Sequence, residues 1–153
     1  MRHNNAYKKL GRTTSHRKAL KKMILNELFD HESIVTTLPK AKHFARTAEK
    51  TITIAKNGKT LHNFRQVLSL LQNERITQKL FNDIAPRYAA IKGGYTRIYK
   101  LGGCRWIDDS RGKWAQNRLG DNGVRAILEL TQKKSKEEPK AKAKAKTAEK
   151  KKK

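Results

Sequence analysis

Leu130 is the last large apolar side chain of this 153-residue sequence, and any folded core must be built from what precedes it. Residues 131–153 hold 11 Lys and three Glu, with nothing bulkier than Thr or Gln among the uncharged side chains. Such a segment buries too little apolar surface to offset the entropy of ordering it, so a disordered Lys/Ala-rich tail is expected there. Residues 1–130 remain, enough for one modest domain and too few for two separate cores.

The charge balance narrows the partners. Lys and Arg number 37 against 13 Asp and Glu, a formal net charge of +24. The tail accounts for +8 of this and leaves +16 on residues 1–130. A compact body so basic repels itself and is expected beside a polyanion: nucleic acid first, then an anionic membrane surface or an acidic protein. No apolar run approaches the roughly 20 residues that span a bilayer. The basic N-terminus is followed by no apolar signal-type segment, so the chain is expected to stay in the cytoplasm. Cys104 is the single cysteine, which excludes an intrachain disulfide and a zinc site built on paired thiolates.

Periodicity divides the rest. Residues 1–14 have no helical period and read as an extended basic arm. A first helix is predicted from about Ser15 to His31, with Thr14 or Ser15 as its cap and Leu20, Met23, Ile24 and Leu28 as its apolar stripe. Ser33–Thr37 is a β-branched run and predicts a strand. Pro39 suits the first turn of a second helix, carried by Ala41, Phe44, Ala45, Ala48, Ile52 and Ala55 and stopped at Gly58. Thr60 opens a third, with Leu61, Phe64, Val67, Leu68 and Leu71 on one side. Asn73 caps a fourth, which Pro86 is expected to close. Tyr95–Leu101 and Val124–Leu130 then read as strands beside glycine-rich turns. The fold class is therefore α+β: a small sheet of about three strands packed against about four helices.

Catalytic motifs are missing. The five His form no HExxH or two-His-plus-carboxylate spacing, and no GxSxG, phosphate-binding P-loop or GxGxxG sequence occurs. Asp108 and Asp109 are adjacent acids in a polar loop, a common solvated arrangement. No enzyme, no cofactor, no metal and no small-molecule substrate is expected. An RNA-modifying enzyme would need a pocket of perturbed carboxylates or histidines. A DNA-compacting protein would need an element that reads base edges.

The cations point to RNA. From Arg2 to Lys22 the sequence holds Arg2, Lys8, Lys9, Arg12, Arg17, Lys18, Lys21 and Lys22, and no acid. Those on the predicted helix crowd its N-terminal half, where the macrodipole already places positive potential. Phosphates beside them would remove the conflict, and their neutralisation gives tight, salt-dependent binding. Asn4, Asn5, Thr13, Thr14 and His16 add polar groups for 2′-hydroxyls or base edges, and Tyr7 could stack on a base. Arg87, Tyr88, Lys92 and Arg97 form a second candidate group around Gly93-Gly94, in which aromatics alternate with bases. The plainer alternative there is a turn entering a strand, with Tyr88 in the core.

Seven strings occur in order: RTTSHRKALKKMILNEL (Arg12–Leu28), IVTTLPKAK (Ile34–Lys42), AEKTITIAK (Ala48–Lys56), KLFNDIAPRYA (Lys79–Ala89), GGYTRIYKLG (Gly93–Gly102), GDN (Gly120–Asn122) and AILEL (Ala126–Leu130). Together they resemble the bacterial large-subunit ribosomal protein L17 family over nearly all of residues 1–130. The resemblance implies 23S ribosomal RNA and neighbouring large-subunit ribosomal proteins as partners, within the large subunit. It also implies an RNA-facing role for Arg2, His3, Arg12, Ser15, His16, Arg17 and Lys18. Two departures stand out. Asn4, Asn5 and Ala6 replace more basic family residues, and an insert spans about residues 103–116. Trp106, Trp114, Arg105, Arg111 and Lys113 suit that insert to a lineage-specific contact with RNA or a neighbouring protein.

Overall fold

The computed structural model describes residues 8–101, 118 and 121–133. The candidates Arg2, His3 and Tyr7, the insert 103–116 with Asp108 and Asp109, and the tail beyond 133 lie outside them.

Helix α1 spans Thr14–His31 and buries Leu20, Ile24, Leu25, Leu28 and Phe29. Fully burying each of Leu25, Leu28 and Phe29 contributes about 1.5–3 kcal/mol. Met23, expected on the apolar stripe, is 58% exposed. Its place is taken by Leu25 and Phe29, one helical step round. The cap position is Thr13 rather than Thr14 or Ser15, and it makes no side-chain capping bond. At the other end Glu32 adopts the left-handed conformation (φ 59°) and its N–H closes on the Leu28 carbonyl at 2.8 Å.

Strand β1 (Ser33–Thr37) passes directly into α2 (Leu38–Lys56), with Pro39 in its first turn as the sequence predicts. Ala41, Phe44, Ala48, Ile52 and Ala55 are buried along one face. Thr51 is buried with them, its hydroxyl satisfied by the Thr47 carbonyl at 2.8 Å. Helix α3 (Leu61–Leu71) starts at Thr60, whose hydroxyl accepts from Asn63 N at 3.2 Å. Leu61, expected on its apolar side, is 65% exposed because it sits in the first turn, outside the packed stretch.

Helix α4 (Glu74–Lys79) begins at Asn73, whose side chain accepts from Ile76 N at 3.3 Å. Pro86 does not close this helix. A π-helical turn (Leu80–Ile84) leads into a last short turn, α5 (Ala85–Arg87), that contains the proline. The wider π turn relieves the clash between the proline ring and the preceding turn. Arg87 Nε donates to the Asp83 carbonyl at 3.0 Å and helps satisfy this stretch of backbone.

Strands β2 (Thr96–Leu101) and β3 (Arg125–Leu130) complete an antiparallel sheet of order β1-β3-β2. Tyr95 and Val124, predicted as strand residues, fall one position outside. Ala126, Leu128 and Leu130 point into the core, while the cross-strand row Val35–Ile127–Tyr99 lies on the outer face. The sheet therefore has one face under the helices and one open, and the fold is α+β as predicted.

The chain stays in the fold slightly beyond Leu130. Thr131 N donates to the Tyr95 carbonyl at 3.0 Å, and Gln132 N donates to the Tyr88 hydroxyl at 2.8 Å. These two residues belong to the body rather than to the tail, because backbone hydrogen bonds hold them where composition shows nothing.

Candidate nucleic-acid interface

The N-terminal half of α1 and the outer face of α2 meet in one basic surface. Leu10 (φ 56°) and Gly11 (φ 63°) take consecutive left-handed conformations and turn the arm into α1. The turn is held from within. Arg12 Nη1 donates to the Leu10 carbonyl at 2.9 Å, and Arg17 Nη1 donates to the Arg12 carbonyl at 3.0 Å. These bonds leave positive charge at a helix N-terminus with no acid in its first turn.

Lys8 comes back over α2. With Lys42, His43 and Arg46 it lines a hollow of about 270 Å³. His43 stays deprotonated below its usual range, first because it is partly buried and then because Arg17, Lys8 and Lys21 repel a further positive charge. Lys21 is likewise lowered, by burial and by Lys50. Four elements of charge, from the arm, α1 and two turns of α2, are thus close enough to perturb one another. Such crowding costs stability in the free protein and is relieved by an anion.

A second hollow of about 510 Å³ lies between α1 and the end of α3, where Ser15, Lys18, Lys21 and Lys22 are joined by Ser69 and Gln72. Lys22 bonds to the Gln72 side-chain oxygen. The hydroxyl of Ser15 is 3.5 Å from that of Thr13. Lys9, His16 and Lys18 are exposed. Nine of the sequence candidates, Lys8, Lys9, Arg12, Ser15, His16, Arg17, Lys18, Lys21 and Lys22, therefore gather at one end of the molecule.

Of the second candidate group, Arg87, Tyr88 and Arg97 do not join them. Tyr88 is fully buried, its ring edge-on to Tyr95 at 5.3 Å and its hydroxyl engaged by Gln132 N. It is a core residue and has no face left for a base. Arg87 is held at the opposite end of α1 by Glu32, with N–O distances of 2.6 and 3.1 Å, and by the Gln132 carbonyl at 2.9 Å. The hydrogen bond to Glu32 raises its already high pKa further. Both residues are thus withdrawn from the RNA candidates. Arg97 remains exposed on the open sheet face, donating to the Tyr99 hydroxyl at 2.8 Å and stacked 5.7 Å from that ring.

Sequence reasoning missed Lys42, His43, Arg46 and Lys50. The signal was present: Lys42, Arg46 and Lys50 recur every four residues opposite the apolar stripe of α2. Like charges at that spacing are mutually unfavourable and call for a counter-charge.

Among the described residues no group of His, Cys, Asp and Glu is placed to hold a metal ion, and no helix is long and apolar enough to cross a membrane. The family model for ribosomal protein L17 matches residues 19–131. The chain belongs to the ribosomal protein L17 family. Members are structural proteins of the ribosome and not enzymes. The large ribosomal subunit protein bL17 of Dictyoglomus thermophilum is 46% identical over 130 residues, covering 85% of this chain and 99% of its own. That of Trichlorobacter lovleyi is 44% identical over 132 residues (86% and 94%), and that of Brucella abortus 43% over 133 (87% and 83%). The L17 match begins at the second turn of α1, so Lys8–Lys18 precede the span of the family model.

Proposed function

We propose that this protein is a constituent of the large ribosomal subunit, in the bacterial cytoplasm, that binds 23S rRNA and helps hold its tertiary architecture. Neighbouring ribosomal proteins are further partners in this reading. The helices and sheet act as a rigid body that presents the arm, the first half of α1 and the cation stripe of α2 to ribose-phosphate chains.

The observation that carries this reading is the gathering of Lys8, Lys42 and Arg46 around one hollow on α2 and of Lys18, Lys21 and Lys22 around another on the adjoining α1. An isolated solvated cation face spreads its charges apart. Here they are concentrated, as expected of a surface whose counter-ions are the phosphates of a partner.

Sedimentation of a cell extract tests the assignment. The protein is expected to travel with the large subunit and to leave it in high salt. A chain found at the top of the gradient in low salt would refute it. Affinity for a 23S rRNA transcript should also exceed that for duplex DNA at every salt concentration, whereas equal affinities would indicate generic nucleic-acid packing.

A further inference from the structure

A separate cleft opens between α2 and the turn Lys92–Gly94. Its volume is about 670 Å³, within the range of sites that enclose a small organic group. Arg46 and Lys50 stand on one side and Lys92 on the other, and all three are exposed. Ile54 supplies apolar surface within it, and the buried Tyr95 closes its inner side. The cleft is fixed in shape, because Lys56 bonds to the Ile91 carbonyl and to the Tyr95 hydroxyl (3.2 Å) and so clamps the turn onto α2.

Arg46 lines both this cleft and the hollow formed with Lys8, Lys42 and His43. A strand following the basic surface from the arm therefore reaches the cleft without a gap in positive charge. Gly93 also lines the opening, and a Cβ there would meet nothing within 4 Å, so packing does not require glycine. One carboxylate, Glu49, also lines the cleft and accepts from the Thr96 hydroxyl at 2.9 Å. A carboxylate repels phosphate but accepts hydrogen bonds from the amino group of a base.

We propose that this cleft receives a single unstacked nucleotide of a non-duplex RNA segment, with its phosphates on Arg46, Lys50 and Lys92 and an amino-bearing base against Ile54 and Glu49. This extends the RNA-binding reading above and rests on it. Cations alone would suit any backbone. The apolar floor at Ile54 beside a hydrogen-bond acceptor is what selects a base, since sequence-specific RNA recognition takes unstacked bases out of loops.

The test uses the full-length protein, a 23S rRNA transcript, and two variants that add bulk at the cleft lining without removing a cation, Gly93→Val and Thr53→Phe. Thr53 lies on an exposed position of α2 at the cleft wall. Each variant is expected to bind about tenfold more weakly, the loss of one base contact, with an unchanged salt slope. One nucleotide whose base-pairing edge is protected from chemical modification by the wild type should become reactive again. Lys50→Gln should instead reduce the salt slope by about one. Thermal melting identifies a variant that fails to fold, and the other filler then decides. Wild-type affinity and protection in a folded filler variant would overturn the cleft assignment while leaving RNA binding intact. Wild-type protein that prefers no RNA over duplex DNA would overturn both.

Discussion

Arg87 grips both carboxylate oxygens of Glu32, a residue in left-handed conformation at the end of α1, and joins two helix ends that are 55 positions apart in sequence. The pair is mostly shielded, with side chains 20% and 12% exposed. Glu32 also accepts from Leu130 N through its carbonyl at 3.0 Å, so the same residue anchors the central strand.

Glu32→Ala is therefore expected to destabilise by about 2–3 kcal/mol, since it takes the carboxylate from a mostly buried guanidinium and places alanine at a positive φ. Chemical denaturation measures it. Arg75→Ala, which breaks a more exposed pair with Asp30, should cost no more than about 1 kcal/mol.

Tyr88→Phe keeps the ring and removes the hydroxyl that accepts from Gln132 N. A loss of about 1–2 kcal/mol is expected. The more telling measurement is amide exchange, where Gln132 N–H should lose protection while amides in α2 keep theirs.

His43 makes two opposite pH dependences. In the free protein its pKa is depressed, by burial first and by the neighbouring cations next. The unfolded chain thus binds the proton more readily, and native stability should fall as pH drops through and below about 6.5. Phosphates bound beside His43 would replace repulsion with attraction and raise its pKa. RNA affinity should then increase on acidification from pH 7.5 to 6, with proton uptake visible by calorimetry. Both effects should vanish in His43→Gln.

Lys21→Gln and Lys42→Gln should each lower the salt slope of rRNA binding by about one. Arg75→Gln should leave it unchanged. Arg75 pairs with Asp30, which is 13 residues beyond Arg17 along α1, or about 20 Å at 1.5 Å per residue.

Much of this is legible in the amino-acid sequence. Ser33–Thr37 is a strand with the predicted bounds, because a β-branched run between a helix end and a proline leaves few options. Thr60 and Asn73 cap the helices they were expected to cap. The arm-to-helix cations were legible as an uninterrupted charge run. Other features were not, each for a physical reason. Tyr88 beside arginine looks the same in sequence whether its hydroxyl meets solvent or Gln132 N. Pro86 reads as a stop because the π turn that tolerates it depends on the packing of Leu80, Phe81 and Ile84. The part played by Lys42, Arg46 and Lys50 was obscured by the strong apolar stripe on the other face of their own helix. Their partners across the surface, Lys8 and Lys21, are distant in sequence.

Among the described residues the middle strand of the sheet is the last to be synthesised. β1 and β2 do not pair with each other among the described residues, and each finds its strand partner in β3. A nascent chain halted before Arg125 holds two unpaired strands and an uncovered helical layer, however well its helices have formed. Sheet closure therefore acts as a completeness check, because the long-range pairings that make the body rigid are withheld until almost all of it has been translated.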